Sequence, residues 1–212
     1  LASICSGLKG LSSQHAEVRE LVFELNRFLA ATPMEEQQGL SEIAIGSALS
    51  GLKHMTSEVS EVLALLETLT ARVQASTARV RGAQVASALL GLKGMDSSHP
   101  AVRRLLSALS QKMQIELASH GAVVMQPKEA CMSLHGMMLK DSHHAEVRDV
   151  VRCLTGVLLG LPEHSLDSAA TGIALYGLRN MHSEHAEVRD LLAALTSRIS
   201  PGNVTAGTAT ER

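Results

Sequence analysis

The pentapeptide HAEVR occurs at residues 15–19, 144–148 and 185–189, and a near copy, HPAVR, at 99–103. The words around them align without gaps. They are GLKGLSSQHAEVRELV from Gly7, GLKHMTSEVSEVLALL from Gly51, GLKGMDSSHPAVRRLL from Gly91, GMMLKDSHHAEVRDVV from Gly136 and GLRNMHSEHAEVRDLL from Gly177. Successive starts lie 44, 40, 45 and 41 residues apart, an average of 42.5. A unit of this size cannot bury its apolar face alone and becomes stable only when stacked on neighbouring copies.

Each unit carries two runs of helical period. In the first, helix A, the apolar letters are Ile4, Cys5, Leu8, Leu11; Ile45, Ala48, Leu49, Leu52, Met55; Val85, Ala88, Leu89, Leu92, Met95; and Ala174, Leu175, Leu178, Met181. In the second, helix B, they begin Val18, Leu21, Val22, Leu25, Leu29 and recur as Val62, Leu65, Leu66, Leu69, Val73. Later copies begin at Val102, Val147 and Val188. Spacing of three and four places these residues on one face of a helix, and no alternation of period two persists. With one Tyr, two Phe and no Trp, the core is built from Leu, Val, Ile, Met and Ala, which suits helices better than sheets. The expected fold is all-α, a right-handed α-solenoid of about five helix-turn-helix repeats, over about 1–30, 41–74, 82–116, 128–160 and 168–200. Residues 201–212 form a loose tail. Of the linkers, QASTARVRGA (74–83) reads as a helical run-on, and the apolar start at Leu1 calls for more chain or a partner to cover it.

The turn between the helices is written SSQH, DSSH, DSHH or HSEH. Such residues cap free amides at a helix start; Pro100 suits the first helical turn, and Glu17, Glu61, Glu146 and Glu187 complement the helix dipole. In HAEVR, then, His and Glu start helix B, Ala permits close packing and Val is its first core residue. Gly7, Gly51, Gly91, Gly136 and Gly177 fall inside helix A, where glycine costs about 1 kcal/mol relative to alanine. Close approach of a neighbouring backbone, or room for a ligand, would offset that cost.

Little points to catalysis. No GxSxG, HExxH, P-loop or GxGxxG occurs, and the acids are scattered, so the chain reads as a non-enzyme with no cofactor and no small-molecule substrate. His15, His99, His144 and His185 form a column too widely spaced, at about 10 Å per helix layer, to share one metal. The closer pairs His143–His144 and His182–His185 show no Cys or acid at ligand spacing, so no metal is expected. Cys5, Cys131 and Cys153 form no CxxC pair and read as small buried hydrophobes in a reducing compartment. No apolar run spans a bilayer, so no membrane insertion is expected. The chain opens LASIC without Met, as a processed product or fragment would, leaving any targeting peptide out of view.

Net charge is −2, which argues against a generally basic nucleic-acid binder but permits a local stripe. Lys9, Lys53, Lys93 and Arg179 stand two residues after the glycine, with Met138 in the fourth unit. Arg19, Arg103, Arg148 and Arg189 close the HAEVR word. One cation per unit makes a ladder able to follow a phosphate backbone; alternatively the lysines complement the end of helix A and the arginines pair with nearby acids. Beside the ladder the letters vary: Ser6, Ser50, Leu90, His135 and Tyr176, then Gly10, His54, Gly94, Leu139 and Asn180. A fixed frame with variable letters suits a unit-per-base reader and equally an unconstrained surface.

Units such as ALYGLRNMHSEHAEVRDLLAALTSRI resemble the helical-hairpin repeats of the octotricopeptide and heptatricopeptide type. That resemblance implies binding to organellar RNA, with rRNA the first expectation. The setting it implies is the periphery of a mitochondrial ribosome or a related mitochondrial or plastid ribonucleoprotein, beside neighbouring protein subunits. HPAVRRLLSAL, through Val102 and Arg103, is similar to the second helix of HEAT repeats, which implies a protein-binding scaffold without RNA contact.

Overall fold

A computed structural model of the chain describes residues 5–32, 42–120 and 125–200. Leu1, Ile4, most of the first linker and the tail 201–212 lie outside the described residues. After a 3-10 turn at Gly7–Gly10, nine α-helices follow among the described residues. They are α1 (Ala16–Ala31), α2 (Glu42–Ser50), α3 (Ser60–Ala75), α4 (Gly82–Gly91), α5 (Pro100–His120), α6 (Pro127–Gly136), α7 (Ala145–Gly160), α8 (Ser168–Gly177) and α9 (Ala186–Thr196). The short helices A pack in one row, α2 on α4, α4 on α6 and α6 on α8; the longer helices B pack in another, α1, α3, α5, α7, α9 in order. The only β pairing among the described residues is a single bridge between Leu166 and Ile199. The chain is all-helical, with neighbour-to-neighbour packing, and no helix among the described residues is long and apolar enough to cross a membrane.

The A row is held by backbone contact. A Cβ built on Gly51 would overlap the carbonyl of Cys5, one on Gly91 that of Leu49, one on Gly136 that of Leu89 and one on Gly177 that of Leu134. Each glycine therefore lies directly against the preceding helix A, an approach no side chain permits. Gly7 meets nothing within 4 Å. After the glycine every helix A tightens in the same way. Leu52, Leu92, Met137 and Leu178 each donate their N–H to the carbonyl three residues back, at 3.0 Å in each case.

The serine of the turn supplies a second fixed contact. Ser13, Ser57, Ser97 and Ser142 are fully or almost fully buried. Their Oγ atoms accept the backbone N–H of Thr56 (3.1 Å), Asp96 (2.9 Å), Asp141 (2.8 Å) and His182 (2.8 Å), each in the following unit. The expectation that these serines cap their own helix B is therefore corrected: the hydroxyl reaches across the joint because it is buried at the unit boundary, against the amide of the next turn. The side chains of His15, His144 and His185, though at the N-cap position, make no capping bond. Ala16, Ala145 and Ala186 are exposed, so close packing does not explain the alanine of HAEVR; only Ala101 is buried.

The B row buries the expected columns, Val62, Leu65, Leu66, Leu69 and Val73 among them. Two departures come from the ends: Leu21 and Leu175 are each 48% exposed, because α1 and α8 have a row neighbour on one side only among the described residues. The helical run-on expected at 74–83 is also corrected. Helix α3 stops at Ala75, where Ser76 turns the chain by accepting the N–H of Ala78 on its Oγ at 3.1 Å, and Val80 is held in the core. Cations from the next helix B, or from the turn just after it, close such ends. Arg72 donates to Leu29 O and to Thr32 O, Lys112 to Ser76 O, and Arg198 to Leu158 O and Leu159 O at 2.8 Å each.

Two pairs of variants within the repeat test this frame. Gly91→Ala should cost about 3 kcal/mol, since the overlap is with backbone and cannot be relieved by a rotamer change, whereas Gly7→Ala should be neutral or slightly stabilising; urea unfolding of both variants measures the difference. Ser97→Ala should cost about 1–3 kcal/mol by stranding the Asp141 amide, and Ser183→Ala, in the same column but exposed, should leave the midpoint unchanged.

Candidate functional site

The basic column lies on the A row. Lys9 and Arg179 are exposed, and Lys53 and Lys93 are half-buried. Lys9, Lys53 and Lys93 have no hydrogen bond or ion pair among the described residues. Acids are absent from the stretches that carry the column: segments 5–16, 43–55, 82–95, 130–140 and 168–181 contain no Asp or Glu. Of the variable letters, Ser50 donates its Oγ–H to Ser47 O at 3.0 Å, Ser6 is exposed, and His135 and Tyr176 stack with ring centroids 5.9 Å apart. Arg179 lies 5.1 Å from the centre of the Tyr176 ring and donates to its hydroxyl at 3.0 Å. Burial first, and then the charges of Lys93 and Lys53, hold His135 below the ordinary imidazole range, which places both lysines near this ring. Asn180 is half-buried at its far end.

The arginine column is used differently. Arg103 donates through Nη1 to Ser97 O (2.8 Å) and Ser98 O (2.7 Å). Arg148 donates likewise to Ser142 O (2.7 Å) and His143 O (2.9 Å), and Arg189 to Ser183 O (2.8 Å) and Glu184 O (2.7 Å). The Nε atoms of the first two turn to the next HAEVR word, Arg103 to Glu146 and Arg148 to Glu187, at 3.8 Å each. Arg19 is half-buried; Glu61 is held below the usual carboxylate range first by the Ser60 hydroxyl, then by its own backbone amide, with the Arg19 charge last. The glutamate and arginine of HAEVR thus belong to the joint, the arginine closing its own turn and facing the glutamate of the next.

No family model matches the chain, and neither a curated protein nor a solved structure matches it. Its chemistry has therefore to be read from the residues.

One expectation about the histidines is overturned. Acids do come to the histidine pairs, because the stacking of units places turn 141–144 beside turn 182–185. His143 Nδ1 lies 2.8 Å from Asp141 Oδ1 and its Nε2 3.0 Å from Glu184 Oε1; His182 Nε2 is 3.4 Å from Asp141 Oδ1 and His185 Nε2 3.7 Å from Glu184 Oε1. The hydrogen bond to Asp141 raises the His143 pKa above the usual imidazole value. Cys5, Cys131 and Cys153 are free and buried, and burial pushes Cys131 and Cys153 up to about 11, which leaves them unreactive thiols.

Lys140 is a residue the sequence pattern does not single out. In the aligned words it takes the place of Leu11, Met55, Met95 and Met181, and it is 0% exposed. Its Nζ donates to Leu92 O (2.8 Å), Met95 O (2.6 Å) and Met138 O (3.1 Å), tying the fourth turn to the third. Burial pushes its pKa down to about 7, opposed by Asp96. The folded value lies below the ordinary 10.5, so between those limits the unfolded chain binds more protons and stability rises with pH. Chemical denaturation of wild type and Lys140→Met across that window should show the difference between them shrinking as pH rises. The variant should be at least as stable as wild type at pH 6, since an apolar side chain replaces a buried charge.

Proposed function

We propose that the chain is a right-handed α-solenoid of five helical hairpins and works as a non-catalytic scaffold whose A row holds an RNA backbone. The observation that carries this reading is the set of lysines without a partner among the described residues, one per unit in the first three units, on stretches free of acids. Neighbouring A helices meet backbone to backbone at glycine, closer than the roughly 8–10 Å usual between packed helices, so the row presents a regular and closely spaced series of cations, with the His135 and Tyr176 rings continuing it as stacking surfaces. The A helices meet through Gly and Ala and the B helices through Leu and Val, so each unit is a wedge with its thin edge on the A row. Stacked wedges curl around that edge, and an extended chain would lie in the hollow. Arg103, Arg148 and Arg189 are left out of this contact, since their guanidinium groups are engaged by the carbonyls of their own turns.

The resemblance to octotricopeptide-type repeats supplies the setting: an organellar ribonucleoprotein in a mitochondrion or plastid, with the chain as a peripheral subunit touching rRNA and other proteins. The exposed apolar side chains at either end, Phe23 and Phe28 on α1 and Ile173 and Leu175 on α8, favour a second reading, a protein-binding scaffold in the manner of HEAT arrays. A salt titration of binding to a single-stranded oligoribonucleotide separates the two. Replacing Lys9, Lys53 and Lys93 together by Ala should lower the slope of log K against log salt by about 2 while leaving the helical circular dichroism unchanged. An unchanged slope, or no binding by the wild type at low salt, would favour the protein scaffold.

A further inference from the structure

We propose that the joint between the fourth and fifth units is a divalent-cation site of the kind zinc fills, with His143, Glu184 and His185 as ligands and Asp141 and His182 beside them. Two sets of three groups, Asp141, His143 and His182 and then His143, Glu184 and His185, each present ligand atoms within 4.8 Å of one another. A tetrahedral zinc ion holds its ligands at about 2.0–2.2 Å, which separates them from each other by roughly 3.3 Å. Glu184 Oε1 lies 3.0 Å from His143 Nε2 and 3.7 Å from His185 Nε2, on either side of that separation. Nε2 of His185 is buried and makes no hydrogen bond, 3.7 Å from Glu184 Oε1, and in the tautomer protonated at Nδ1 it offers a lone pair to a cation held by that carboxylate. Two imidazoles and a carboxylate are a donor set matched to zinc rather than to calcium, which takes oxygen ligands.

The repeat supplies its own control. The fold does not demand imidazoles at these places. At the position of His143 the other units carry Gln14, Glu58, Ser98 and Glu184, and at the position of His182 they carry Ser12, Thr56, Asp96 and Asp141. The recurring parts of the joint are glycine, serine and arginine, so the gathering of three histidines at one joint is extra to it. His143 and His182 have ring centroids 4.2 Å apart, and His143 and His185 5.2 Å apart. A cation here would clamp the fifth unit to the fourth, and three protein ligands would leave a further position facing solvent, open to water or to a group from a partner.

The test is calorimetric titration of the full chain with zinc chloride, with calcium chloride as the comparison, and thermal unfolding in zinc against EDTA. Wild type should take up one zinc ion, ignore calcium and unfold at higher temperature with zinc. His143→Ser and His185→Val, which install residues that other units carry at those places, should each weaken zinc binding by at least about tenfold and abolish the thermal shift. His15→Val, in the same column as His185 but in the first unit, should behave as wild type. Wild-type affinity retained in both His143→Ser and His185→Val, equal uptake of calcium, or no uptake of zinc by the wild type would overturn the assignment. The RNA salt slope is read independently of all these outcomes.

Discussion

Contact between the backbones of successive A helices fixes the geometry of everything else in the chain. A glycine at one position per unit brings the next helix to the distance at which a Cβ would collide with a carbonyl, at Gly51, Gly91, Gly136 and Gly177 alike. Glycine in a helix is unfavourable by about 1 kcal/mol, and the dispersion attraction between two closely apposed helices offsets it. Because the approach is set by backbone, it is the same at every one of these joints. The second contact depends on this sameness. A serine hydroxyl can meet the amide of the next unit at 2.8–3.1 Å four times over only if the turns are held in constant register.

Buried polar groups are arranged by the same logic. A helix ends with carbonyls that have no partner within it, and a stack of short helices buries many such ends. Arg72 and Lys112 from a helix B, and Arg198 from the turn just after one, reach the carbonyls that close the preceding helix B, and Lys140 does so for the third turn of the A row. A buried cation is costly when alone; here the negative end of a helix dipole stands opposite it. Arg103, Arg148 and Arg189 close turns by the same kind of contact, and Arg79, Arg104 and Arg152 pair with acids of another unit. A chain with a net charge of −2 can therefore still present a line of unmatched lysines, on the stretches of the A row from which acids are missing.

The period, the two helices per unit, the apolar columns and the glycine column are legible in the sequence because each repeats the same letter type at the same offset. What is not legible depends on which unit a side chain faces. Ser97 reads as a local cap, since a serine shortly before a helix start ordinarily is one; only the stacking shows that its hydroxyl points to Asp141. Lys140 breaks its column, and a single cation in an otherwise Leu and Met column is itself a signal of a buried acceptor set. His143 is 41 residues from Glu184 and 42 from His185, and no spacing rule within a unit brings it to them. The columns of the aligned words hold the clue: setting unit four against unit five, rather than following the chain, puts turn 141–144 beside turn 182–185.

A repeat protein carries its own substitution series, and the series separates what the joint requires from what it merely tolerates. Glycine, the buried serine and the leucine after the glycine recur because each belongs to the contact between units. The side chain two places after the glycine makes no hydrogen bond across the joint, and the fourth unit shows that Met138 suffices there for helix A to fold and stack. Complementing the helix end is therefore not a requirement of the frame, and the lysines at 9, 53 and 93 are left over once the fold has been explained. Arg103, Arg148 and Arg189 stand on the other side of that division: identical in letter and as regular in spacing, they donate to the carbonyls of the turns they close. Regularity alone does not mark a surface for binding. A regular charge that the structure leaves unmatched supports the proposed anion contact, because like charges in a row repel one another and an anion laid along them relieves that repulsion.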